Sequence, residues 1–181
     1  MREYASEAIV LNKRPNGNMD TRYAIFTKKF GKMMAKATSA RKVTSKLAGH
    51  LEPGTVSRVR LIEKNGLRVV DALREGMLLG DGKPHPTLPL KEEWQAPTLH
   101  GLMLLDRLLA EAQPEPFVWA MVRQGQLAWR PILGALGWDP GEATCSACYA
   151  IPVSGFSVAR QDFFCARCVA SIASSELVMV S

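Results

Sequence analysis

The four cysteines of the chain stand as two pairs, Cys145-Ser146-Ala147-Cys148 and Cys165-Ala166-Arg167-Cys168, in a C-x2-C-x16-C-x2-C arrangement. Two residues between thiolates let both sulfurs of one turn reach a tetrahedral ion at about 2.3 Å, and a second such pair closes a four-coordinate shell. The spacing predicts a module held by one metal ion, with Cys145, Cys148, Cys165 and Cys168 as ligands and zinc as the metal. An iron centre would accept the same four thiolates. Four protein ligands leave no position for water, so the expected role is structural. Disulfides are disfavoured because the amino terminus carries Glu3 and Glu7 and no long apolar run, which speaks against a secretory signal. A redox pair would need only one C-x-x-C. The span 140–172 offers Tyr149, Ile151, Val153, Phe156, Val158, Phe163 and Phe164 as large apolar residues, too few to offset chain ordering without a cross-link.

Charge is divided unevenly. Residues 1–80 hold 16 Lys and Arg against 7 Asp and Glu, a net of +9, while residues 81–181 hold 7 against 10. A basic domain of this kind is an electrostatic footprint for a polyanion, though a solvated basic face gives the same count. The same part is rich in short apolar runs. Ala8–Leu11, Tyr23–Thr27, Lys32–Ala37, Val56–Ile62 and Leu67–Val70 read as five strands, with Lys13-Arg14-Pro15-Asn16-Gly17-Asn18 as a turn cluster and Asn65-Gly66 as a hairpin turn. Five short strands in about 70 residues are most economically closed into a barrel, which removes exposed edges. An oligonucleotide-binding (OB) barrel fits. Its candidate phosphate contacts are Lys13, Arg14, Lys28, Lys29, Lys32, Lys36, Arg41, Lys42 and Lys46, with Lys13 and Arg14 on the first turn and the last three in a loop of alternating small and cationic residues. Alternation places Phe26 in the core, so binding is expected to lean on phosphates more than on ring stacking. His50 stands beside no carboxylate or cysteine partner and carries no expected chemistry.

Prolines at 84, 86, 89 and 97 mark residues 76–97 as a linker. Beyond it, Thr98 caps a helix whose apolar side is Leu99, Leu102, Met103, Leu105, Leu108 and Leu109. Pro116 opens a second, which stops at Gly125, and a third ends at Gly137. The expected fold class is α+β and multi-domain: an OB-fold nucleic-acid-binding domain over 1–75, the linker over 76–97, a short helical domain over 98–139, and a zinc-ribbon-like four-cysteine module with the carboxyl-terminal tail over 140–181.

Several segments carry a resemblance to a known family. They are Glu7-Ala8-Ile9-Val10-Leu11-Asn12-Lys13-Arg14-Pro15, Phe26 through Lys32, Ala40-Arg41-Lys42, Ser45 through Pro53, Leu104-Leu105-Asp106-Arg107-Leu108-Leu109, and Leu133 through Pro140 leading into the cysteine pairs. In this order they make the chain similar to the bacterial DNA repair protein RecO, as a shortened member of that family. The resemblance implies an OB barrel, a helical domain and a zinc module. It also implies a recombination mediator that binds single- and double-stranded DNA, anneals complementary strands and assists RecA loading. RecR and single-strand-binding protein are the implied partners, RecA is involved indirectly, and the implied location is cytoplasmic and nucleoid-associated.

Two other classes stand beside this reading. An RNA-binding or ribosome-associated OB-fold protein with a structural zinc ribbon would show the same electrostatics. An enzyme is not expected, because the residues supply no carboxylate pair, no Ser/His/Asp set, no phosphate-cradling glycine loop and no open metal position. No catalytic residue is assigned. No run of 18 apolar residues occurs, so no membrane span is expected.

Overall fold

The computed structural model describes residues 1–40, 42, 45–78 and 97–180. Arg41 and residues 79–96, most of the expected linker, lie outside the described residues. The chain divides into two compact units, Met1–Gln126 and Leu127–Ser181. No helix among the described residues is long and apolar enough to cross a membrane.

The first unit is built on β1 (Arg2–Asn16), β2 (Asp20–Thr27), β3 (Gly31–Ala37), β4 (Thr55–Glu63) and β5 (Leu67–Met77). They close into a barrel in the order β1-β2-β3-β5-β4, the OB-fold arrangement. Neighbours run antiparallel except β3 and β5, which meet in parallel at Lys36 and Arg68. Alternate residues point inward, and Ala8, Val10, Tyr23, Ile25, Met33, Ala35, Ala37, Val59, Leu61, Val69 and Ala72 form the interior. The alanines among them leave room for Tyr23 and Ile25 in so narrow a barrel.

β1 is longer than expected. It continues through Lys13-Arg14-Pro15, and the chain reverses only at Gly17, whose φ of +74° suits glycine. Proline is tolerated there because β4 pairs with residues 2–9 of β1 alone, so that edge needs no N–H at position 15. β1 also carries a bulge: Val10 faces Ile25 and Asn12 faces Ala24, with Leu11 as the extra residue. A strand alternates with period two, so one extra residue exchanges its faces. Asn12 and Arg14 consequently point outward, where strict alternation from Ala8 and Val10 would have sent them into the core.

Two helices cover part of the outer face of the barrel. In α1 (Leu99–Leu108) the Thr98 hydroxyl accepts from the Gly101 N–H at 3.0 Å, and α2 (Pro116–Arg123) opens on proline, as expected of both. Their apolar sides account for Ile9, Leu11 and Phe26, outside the barrel yet fully buried. Phe26 meets Trp119 edge-on with ring centroids 5.4 Å apart, and Arg123 pairs with Glu7. The chain after α1 then crosses the start of β3, where the Ala112 N–H donates to the Lys32 carbonyl at 2.8 Å. Gly31 permits this crossing: its φ is +72°, and a Cβ there would lie 2.0 Å from the Gln113 carbonyl oxygen.

The second unit contains α3 (Trp129–Ala135), closed by Gly137 at φ +95°, and a three-stranded sheet of order β7-β6-β8. Its strands are β6 (Gly155–Ser157), β7 (Asp162–Phe164) and β8 (Leu177–Met179), with fully buried Phe156 between Trp138 and Phe163. The division between the units thus falls inside the helical stretch 98–139. α1 and α2 group with the barrel because their apolar sides cover β1 and β2, whereas α3 groups with the cysteine module.

Candidate nucleic-acid interface and cysteine centre

The outer face that the helices leave uncovered is basic. Along β1, β2, β3 and β5, Arg14 faces Arg22, Arg22 faces Lys36, and Lys36 faces Arg68. Four adjacent strands therefore place one cation each in a single row across the barrel, spanning about 14 Å at roughly 4.8 Å per strand. Arg22, Lys36 and Arg68 line a cleft of about 250 Å³ together with Asn16, Met34, Asn65, Gly66 and Leu67. The hairpin turns β1–β2 and β4–β5 thus contribute to its walls. Lys36 is half-buried and held by Asp20, Nζ to Oδ2 2.6 Å. The Lys36 ammonium, and after it the Ser39 N–H, keep the Asp20 carboxyl below its usual titration range. None of the barrel rings Tyr4, Tyr23, Phe26 and Phe30 is fully exposed, so the face offers charge and amides in place of a stacking platform.

The comparisons with known proteins bear on the barrel as a whole. A family profile described as "Recombination protein O N terminal" matches residues 1–74. The amino-terminal barrel is similar to the amino-terminal domain of RecO proteins. "DNA repair protein RecO" of Desulforudis audaxviator is 28% identical over 93% of this chain and 71% of its own length. The RecO of Myxococcus xanthus is 36% identical over 38% of the chain, and that of Heliobacterium modesticaldum 37% over 39%. These two matches span 28% and 26% of the relatives' own lengths.

Within this barrel the expected contact residues separate. Arg14 and Lys36 belong to the row. Lys13 is exposed and paired with Glu52. Lys28 and Lys29 are exposed on the β2–β3 turn, six or more residues from Arg22 along β2, which is about 20 Å at 3.3 Å per residue. They do not extend the row. Lys42 and Lys46 are exposed beyond the end of β3. Lys32 requires a correction: it is 8% exposed, and its ammonium donates to the Asp106 carbonyl and lies 3.6 Å from Oδ1 of the Asp106 carboxylate. Phosphate cannot reach it, because it points outward from β3 into the junction covered by α1. Arg22 and Arg68 stand outside the set expected from the sequence. Both stand alone between apolar or small neighbours, and only cross-strand register aligns them with Lys36. His50 has a structural place, its Nδ1 accepting from the Arg74 N–H at 3.2 Å.

All four cysteines come together in the second unit, their sulfurs within 4.8 Å of one another. Cys148 lies 3.7 Å from Cys165 and 3.6 Å from Cys168. A tetrahedral shell with bonds of about 2.3 Å needs sulfurs about 3.8 Å apart, whereas a disulfide needs about 2.05 Å. The cluster is a fit for a four-thiolate metal ion, and all four cysteines are free. Two turns build it. The Cys145 carbonyl accepts from the Tyr149 N–H at 2.8 Å, and the Cys165 carbonyl from the Val169 N–H at 2.9 Å. The Cys145 thiol is brought down to about 6, foremost by the backbone at Cys165, while Cys168 is pushed up to about 12 by sharing its proton with Cys148. Tyr149 and Gln161 hold left-handed backbones, φ 60° and 55°, without glycine.

Proposed function

We propose that the chain acts as a recombination mediator in DNA repair, binding single- and double-stranded DNA on the cation row of its RecO-type barrel, annealing complementary strands and assisting RecA loading. The observation that carries the reading is the alignment of Arg14, Arg22, Lys36 and Arg68 across four neighbouring strands. Scattered surface charge would not align in register. Each cation gains affinity by releasing counterions from the phosphate backbone, and this term is insensitive to sequence, as annealing requires. RecR and single-strand-binding protein are the partners, by similarity to proteins named RecO, and the location is the cytoplasm, on the nucleoid. The cysteine cluster carries one structural zinc ion that holds the fold of its module. No residue is assigned a catalytic role.

The test mixes the purified protein with labelled complementary DNA strands, bare or coated with single-strand-binding protein. Accelerated annealing with a logarithmic salt slope near −3, from roughly −0.7 for each of about four phosphates, is the expected result. Tighter binding of RNA with no annealing would transfer the row to the RNA-binding reading.

A further inference from the structure

Asp106 sits in α1 at 4% exposure, and three side chains of the barrel converge on it. Its Oδ2 accepts from Asn12 Nδ2 at 3.2 Å and from Arg14 Nη2 at 3.4 Å, and its Oδ1 faces the Lys32 ammonium at 3.6 Å. Lys32 also donates to the backbone carbonyl of Asp106. Lys32 and Asp106 are both buried, with side chains 10% and 6% exposed, whereas the Arg14 side chain is 62% exposed.

A buried ion pair is a poor device for stability alone, since two apolar side chains of similar size pack as well without the cost of desolvating charge. What an apolar pair could not do is hold Arg14. A guanidinium has five N–H donors in a planar fork. Asp106 engages one of its nitrogens from the protein side and leaves the remaining donors facing solvent at the end of the cation row. Lys32 matters here too. One carboxylate between two cations leaves the cluster with a net positive charge, so Asp106 orients Arg14 without cancelling the attraction of the row for an anion. We propose that Asp106 is a positioning residue for polyanion binding, fixing the Arg14 guanidinium so that its free donors meet a phosphate. This rests on the proposed DNA-binding role of the face. It makes α1 a part of the binding apparatus through a residue no phosphate touches.

The experiment titrates the full chain with a labelled oligo-dT strand over a range of salt. It compares wild type, Arg14→Ala, the paired change Lys32→Met with Asp106→Leu, and the three changes together. The paired change removes one charge of each sign, so the net charge is unaltered while Arg14, and Asn12 with it, lose their acceptor. Arg14→Ala is expected to weaken binding about fivefold, the scale of one charge-assisted contact at a solvated surface. The paired variant should match that loss while keeping its thermal midpoint, and the triple variant should lose nothing more. Wild-type affinity in the paired variant, or a full additional Arg14 effect in the triple, overturns the proposal. If the paired variant does not fold, the Arg14 side-chain N–H signals of the free wild-type protein decide by NMR. Restricted motion relative to Arg22 supports positioning, and equal motion overturns it. Failure of the wild type itself to bind the strand would remove the functional reading first, and this inference with it.

Discussion

Arg22 and Arg68 are the residues on which the binding reading is most exposed to test, because they touch the cleft and have no part in the α1 junction. Replacing both with alanine should reduce the salt slope on single strands by about 1.4 and weaken binding about tenfold or more at low salt, with the fold retained. An unchanged slope would move the contact surface elsewhere on the barrel. Asp20 gives a prediction in pH. Its carboxyl is held below the usual value of 3.8, so folding favours the ionised form. The stabilisation is fully present above the unfolded value and fades as pH falls through the lower folded one. Asp20→Asn should therefore be less stable than wild type at neutral pH, and the two denaturation curves should converge as the solution is acidified below about pH 4. A gap that stayed constant with pH would show that Lys36 is held by other groups. None of these three residues announces its role along the chain, since each acquires it from a partner on another strand.

At the scale of the elements, β3 has little freedom at its start. Gly31→Ala combines a left-handed φ with an overlap against the Gln113 backbone, and should cost about 2 to 4 kcal/mol in a denaturant titration. A midpoint close to wild type would mean that the segment after α1 lifts off β3 without consequence. The same elements show what local pattern reveals and what it hides. Thr98, Pro116, Gly125 and Gly137 punctuate the helices as capping chemistry dictates, and all three helices stand where those residues put them. The five strands were visible as apolar runs, but their ends were not. Lys13-Arg14-Pro15 has the composition of a turn, yet the partner strand and Gly17 extend β1 past it. The three short strands of the cysteine module escaped notice because three residues are too few to display a period.

At the scale of the whole molecule the chain is two compact units, and removing metal should separate their fates. Chelation, or Cys165→Ser, is expected to abolish the melting transition of residues 127–181 while the barrel unit still melts cooperatively and binds single strands. Structural zinc contributes on the order of 10 kcal/mol in isolated modules, more than so small a sheet can replace. Elemental analysis that found no metal in protein purified under reducing conditions would overturn this. The cysteine spacing disclosed the four-thiol cluster, because a set of metal ligands is written in local intervals. The cation row was only half legible, because it is assembled from strands that are distant in sequence. The row also straddles the place where the barrel closes. β3 and β5 meet in parallel at Lys36 and Arg68, two like charges face to face across the seam, whose repulsion the Asp20 carboxylate on Lys36 offsets only in part. A phosphate backbone laid across those two side chains would act as a staple. The barrel should then breathe least when loaded, with amide exchange in β3 and β5 slowing on addition of DNA more than in β1 and β4, and slowing less as salt is raised.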